Sequence, residues 1–126
     1  MILIGGIHLM KISDVSEKYD ITTDTLRYYE RIGLIPHVPR KSNGIRDYDE
    51  ESCKWVEFIK CMRAAGVQIE ALIEYVDLMQ KGGHEDRRME ILTEQRKRLI
   101  DKMEYLKATI ARLDYKIEYF GQKLKK

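Results

Sequence analysis

Apolar residues recur along most of this chain at three- and four-residue intervals, the spacing of amphipathic helices, and polar or glycine-rich breaks divide them into blocks. Ser13 is placed to cap a first short helix over about 14–19, with Ile12 and Val15 turned inward. Asp20-Ile21 makes a tight connection, and Thr22 caps a second helix over about 23–32 whose inner side carries Leu26 and Tyr29. Two short helices so closely joined predict a helix-turn-helix over about 12–31. Gly33 ends the second helix, and Pro36 and Pro39 forbid another. The segment 36–48 contains Asn43-Gly44, the strongest short hairpin signal, so a small β-hairpin is expected there. Asp49 caps a third helix over about 50–64, with Trp55, Phe58, Ile59 and Met62 as its apolar stripe, and Gly66 breaks it. A fourth helix over about 69–80 turns Leu72, Ile73, Val76 and Met79 inward and stops at Gly82-Gly83.

The pattern then changes. From about 85 to 124 there is no proline, and Gly121 is the sole glycine. Met89, Leu92, Leu99, Met103, Leu106, Ile110, Leu113, Ile117, Phe120 and Leu124 alternate by fours and threes, except where Arg96 takes one apolar position. That is a heptad seam, too narrow for a broad core face, and it calls for a partner helix. The simplest partner is a second copy of the chain. Forty residues span roughly 60 Å, so an antiparallel pair can hold two heads at the spacing of neighbouring grooves, about 34 Å. The expected organisation is mainly α: a leader over 1–9, a winged helix-turn-helix head over 10–80 and a dimerisation helix over 84–124. The other reading of the seam folds the long helix back onto its own head.

Charge sharpens this picture locally. The net charge of the 126-residue chain is only +2, yet from Leu26 to Tyr48 Arg27, Arg31, Arg40, Lys41 and Arg46 face Glu30 and Asp47 alone. A helix that opens with hydroxyls and continues Arg27-Tyr28-Tyr29 suits the edge of a DNA groove, because hydroxyls and phenols bond phosphate and arginine grips phosphate or guanine. Basic residues on both arms of the hairpin suit a wing that holds the DNA backbone. No apolar run approaches the roughly 20 residues of a membrane span. The apolar residues 1–9 lack a basic start and a cleavage site, so they read as a leader rather than a secretion signal, and a reduced, cytoplasmic protein is expected. Cys53 and Cys61 lie eight residues apart on one helix, roughly 12 Å, too far for a disulfide.

These residues resemble the MerR family of bacterial transcription regulators. The likeness rests on Lys11-Ile12-Ser13-Asp14-Val15, Thr25-Leu26-Arg27-Tyr28-Tyr29-Glu30, Gly33-Leu34-Ile35, Arg46-Asp47-Tyr48 and the long terminal helix. It implies a homodimer joined by an antiparallel coiled coil, bound to a palindromic promoter operator on double-stranded DNA. It also implies an action on RNA polymerase through the promoter, by bending and untwisting an overlong spacer. By the same resemblance Thr25, Arg27 and Tyr28 meet the groove or its edge, and Arg40, Lys41, Arg46 and Tyr48 serve the wing's backbone contacts. Lys60 resembles a further phosphate ligand, while Tyr29 has two open roles, phosphate contact or interior packing. Leu92, Leu99, Met103, Leu106, Ile110, Leu113, Ile117 and Phe120 are the dimerisation positions.

The sensed signal is less legible. No cysteine follows Cys61, and His8, His37 and His84 have no ligand spacing, so neither a metal, an iron–sulfur cluster nor any other cofactor is expected. The chain ends at Lys126, which leaves no room for a large ligand domain. The segment 58–66 resembles the AdhR/NmlR branch, which responds to aldehydes and thiol-reactive electrophiles, and that likeness makes Cys61 the sensing candidate with Cys53 second. A cysteine on an amphipathic helix is also an ordinary space-filler. Two other readings stay open: a multidrug-responsive regulator with a pocket using Trp55, Tyr75 or Tyr105, and an effector-independent architectural protein. An enzyme is not expected, since there is no Cys-x-x-Cys, glycine-rich phosphate loop or acid–base set.

Overall fold

The computed structural model describes residues 10–125. The expected leader, residues 1–9, lies outside the described residues. Five helices follow in order: α1 (Ile12–Tyr19), α2 (Thr23–Arg31), α3 (Glu50–Ala65), α4 (Ile69–Lys81) and α5 (Glu85–Leu124). The fold is mainly α, as the periodicity requires.

Local chemistry sets most boundaries. The Thr22 side chain accepts from the Thr25 N–H at 3.1 Å, and Asp49 accepts from the Ser52 N–H at 2.8 Å, so both helices start at their expected caps. The first helix differs from expectation. It begins earlier, with Lys11 as N-cap, and Asp14 reaches back to accept from the Lys11 N–H at 3.1 Å, leaving Ser13 inside the first turn.

Between α2 and α3 the chain makes the expected tight turn but little sheet. Arg40 and Arg46 form one antiparallel bridge, and Met10 forms another with Tyr48. The Lys41 N–H donates to Ile45 O at 2.8 Å and the Gly44 N–H to Lys41 O at 2.8 Å. Gly44 sits at φ +85°, which favours a residue with no side chain.

Val15, Leu26, Leu34, Ile35, Val38, Tyr48, Cys53, Val56, Ile59, Val67 and Leu72 make the core of the head. Ile59 belongs to the expected α3 stripe, but Cys53 and Val56 are buried beside it while Trp55, Phe58 and Met62 are only partly covered. On α4, Leu72 and Val76 are buried, Ile73 is half-buried and Met79 is exposed.

Helix α5 carries two apolar stripes. Ile91 and Gln95 are buried against the head, and half-buried Leu99 packs against the same core. Gln95 accepts from the Gln68 N–H at 3.2 Å and donates to Gln68 Oε1 at 3.0 Å, which satisfies the start of α4 from another helix. Arg87 grips Glu74 of α4 through two 2.8 Å bonds and holds its carboxyl below the ordinary glutamate range. Between α4 and α5, Gly82, Gly83 and His84 all have positive φ, so a sharp turn replaces a helical continuation. Folding back onto the head therefore describes the first turns of α5; the seam beyond Leu99 is exposed.

Truncating the fully buried Ile59 should open a cavity at the centre of the head. Ile59→Ala is expected to cost about 2–5 kcal/mol, measured by urea unfolding of the intact chain.

Candidate nucleic-acid interface

Helix α2 supplies the expected groove residues in varied states. The Thr25 hydroxyl is shared with Thr22 at 2.7 Å, which ties it to the helix cap. Arg27 lies along its own helix, donating to Asp24 Oδ1 at 3.1 Å and Thr23 Oγ1 at 3.4 Å. Such exposed intrahelical bonds are weak and readily exchanged for a phosphate or a base. Tyr28 is exposed, and the Arg31 guanidinium stands 5.2 Å from its ring centre. Tyr29 is half-buried against the core, so most of its ring serves packing.

The wing adds Arg40, Lys41 and Arg46. Lys41 is exposed, Arg40 donates to Gly44 O at 3.3 Å, and the half-buried Arg46 donates through Nε to Glu30 Oε1 at 2.7 Å. Arg40 and Arg46 of the wing stand 3.8 and 2.7 Å from the Glu30 carboxylate of α2, so the wing's positive charge lies against the end of the recognition helix.

Tyr48 does not reach that surface. Its ring is fully buried and its hydroxyl finds no hydrogen-bond partner among the described residues, so the expected backbone contact is replaced by a core role. Burial also pushes its phenol above the ordinary tyrosine range. Lys60 donates to the Tyr19 carbonyl at the end of α1, a favourable place for a cation; it remains exposed.

Glu30 is a functional residue that sequence reasoning missed. It is buried, yet its carboxylate accepts from Arg46 Nε, from the Val38 N–H at 3.0 Å and from His37 Nδ1 at 3.1 Å. Burial pushes its pKa upward, but the Arg46, Val38 and His37 donors outweigh that effect and hold it below the ordinary glutamate value. The available signal was an acid, one of two, inside a basic run.

The pattern of the MerR HTH family regulatory proteins matches residues 10–78, which covers α1 to α4 and the wing. This chain belongs to the MerR family. The likeness extends to individual MerR-family regulators, and the chain spans about two thirds of the length of the first of them. The chain is 57% identical over 93 residues to the transcriptional regulator AdhR of Bacillus subtilis, covering 73% of this chain and 66% of AdhR. It is 31% identical over 130 residues to YyaN, an uncharacterized regulator of the same bacterium, covering 93% and 94% of the two chains. A MerR-family regulator from Listeria monocytogenes superposes with a TM-score of 0.85 at 41% identity, covering 88% of this chain and 85% of that one. HiNmlR, a MerR-family regulator lacking the sensor domain, shares the fold with a TM-score of 0.82 at 22% identity, over 91% and 92% of the chains. The MerR chain is thus a DNA-binding transcriptional regulator, not an enzyme. No helix among its described residues is long and apolar enough to cross a membrane.

The two thiols of this MerR head differ sharply. Cys53 is buried, with Sγ 3.8 Å from Met10 Sδ, and burial pushes its thiol pKa up. The second sensing candidate, Cys53, therefore belongs to the core rather than to a reactive site. Cys61 is exposed. Its sequence neighbours Lys60 and Arg63 are turned onto the carbonyls of Tyr19 and Val67.

Two predictions follow from this geometry. Removing the unpartnered buried hydroxyl with Tyr48→Phe should leave DNA affinity within about twofold and stability unchanged or up to about 1 kcal/mol higher, measured by gel shift and urea unfolding. Because the folded pKa of Glu30 is depressed, its stabilising contribution is present above the unfolded value of about 4.3 and is lost as pH falls through the folded value. The stability gap between the wild type and Glu30→Gln should therefore narrow as pH falls below about 5, followed by urea unfolding across a pH series.

Proposed function

We propose that this regulator works as a homodimer, joined by antiparallel pairing of α5, that binds an inverted-repeat operator within a promoter and distorts the spacer. One observation carries this reading. Beyond Leu99, the seam residues Met103, Leu106, Ile110, Leu113, Ile117 and Phe120 are 45–68% exposed along a single face. Each Å² of apolar surface left in water forgoes about 25 cal/mol, and a seam with heptad spacing fits another helix of the same kind. Leu92 is shared: it is exposed on the seam and also borders a small cavity against the head. Leu99, which packs on its own head, ends the enclosed stretch and begins the free one.

Two heads so joined meet one face of a duplex. Arg27 and Tyr28 enter or border the groove, while Arg40, Lys41, Arg46 and Lys60 hold phosphates to either side. Distorting a site of that size costs of order 1–10 kcal/mol, offset by the backbone contacts the deformed duplex allows. HiNmlR, which has this fold, was crystallised bound to promoter DNA, and that supports the head as the promoter-binding unit. RNA polymerase then responds to the reshaped promoter, and the protein acts in the cytoplasm where that DNA lies.

The effector we propose is an aldehyde or a related electrophile acting on exposed Cys61. The sulfur attacks the aldehyde carbon, the C=O π pair moves to oxygen, and that oxygen takes the proton lost by the thiol, leaving a hydroxyalkyl thioether. The resemblance of residues 58–66 to the aldehyde-responsive AdhR/NmlR branch supports this assignment. A lipophilic drug is less favoured by the geometry. The cavity between α3, α4 and α5, lined by Phe58, Met62, Leu72, Tyr75, Ile91 and Leu99, holds about 170 Å³. Pockets for drug-sized ligands hold roughly 300–1,000 Å³. The cleft bordered by Trp55, Phe58 and Tyr75 holds about 260 Å³, also below that range, whereas Tyr105 is exposed on the free part of α5.

The chain should sediment as a dimer at micromolar concentration and prefer inverted-repeat DNA over random duplex in gel shifts. In cells carrying the target promoter, Cys61→Ser should abolish induction by formaldehyde; wild-type induction in that variant would eliminate the thiol sensor while leaving the DNA-binding reading intact.

A further inference from the structure

We infer that Glu30 is a positioning residue for DNA contact: by holding Arg46 through Nε, it aims the guanidinium's two terminal nitrogens at a phosphate. This rests on the proposed operator binding. The carboxylate lies at the end of α2 and straddles both legs of the wing. Oε2 takes the Val38 N–H and His37 Nδ1 on the entering leg, while Oε1 takes Arg46 on the returning leg, with Arg40 at 3.8 Å. The Glu30 side chain is only 3% exposed and that of Arg46 21%.

Enclosing a carboxylate is unfavourable unless its lone pairs are filled, and here both oxygens are. Shape alone does not require a charge at this place. A guanidinium carries five N–H donors in a rigid plane, and fixing Nε fixes the direction of the other four. None of those four is directed to Glu30. A lysine ammonium carries the same charge but has no second edge to hold. Arg46 and Arg40 both lie beside the one carboxylate, so the base of the wing still attracts phosphate despite an acid beneath it.

The test uses the full chain and an inverted-repeat duplex recovered by the wild type from a random pool. Failure to recover one would count against operator binding itself, not against the role of Glu30. Arg46→Lys keeps the charge and alters a partly exposed side chain, so it does not depend on the folding of a buried variant. It should lose at least about tenfold in affinity, with the salt slope falling by about one per head. Glu30→Gln should lose a similar amount. In the double variant the losses should not multiply, because both changes weaken the same Glu30–Arg46 contact. Wild-type affinity in Arg46→Lys, or a Glu30→Gln penalty that persists unchanged in the Arg46→Lys background, would overturn the assignment. A purely structural role for Glu30 would give the latter result.

Discussion

A single helix cannot bury a narrow apolar stripe on itself, and α5 leaves its head after a few turns. Ile91, Gln95 and Leu99 are satisfied by α4 and the core, and beyond them Met103 and the seam residues that follow stay exposed among the described residues. The helix has 40 residues, and water is an unfavourable neighbour along most of the seam. In the proposed homodimer this constraint governs the rest of the molecule, since the way that stripe is covered would set the separation and direction of the two heads. One head offers one recognition helix and one wing.

The junction between the two α5 stripes also couples head to helix. The head-facing stripe runs through Ile91 and Gln95, the seam through Met89 and Leu92, and Leu99 takes part in both. Gln95 caps α4 from α5, and Arg87 ties the same two helices through Glu74. Any shift of α4 is therefore felt at the root of the seam. Cys61 stands on α3, whose neighbours Lys60 and Arg63 hold the end of α1 and the start of the link to α4. A group added at Cys61 would act on packing that already joins the recognition unit to the long helix.

Features decided by a few adjacent residues were legible in the sequence. Thr22 and Asp49 cap their helices because a cap is a local bond, and Asn43-Gly44 turns because the backbone there needs a positive φ. Ser13 misled because Asp14 offered Lys11 a reciprocal bond and let α1 start earlier. Features decided by remote partners were hidden. The α3 stripe was read too far to one side, since Cys53 and Val56 are buried with Ile59 while Trp55 and Phe58 are only partly covered. Tyr48 has the composition of a phosphate ligand, and only its pairing with Met10 places the ring inside. Gln95 resembles a solvated helix residue until Gln68 is brought against it.

Glu30 is the sharpest instance of the same rule. A linear count treats it as one negative charge that weakens a basic stretch, which is the opposite of its place in the structure. Its partners lie 7, 8 and 16 residues away, so no local pattern assembles them. Once assembled, the acid serves the positive face, because an arginine left free explores many rotamers and must give up that freedom on binding phosphate. Holding Arg46 at its inner edge moves that entropy loss into folding, where the burial of Val38 and Tyr48 helps to offset it. The wing can then be nearly devoid of sheet, with only two isolated bridges, and still present a fixed cation. Rigidity at this surface comes from one enclosed carboxylate rather than from a ladder of strands.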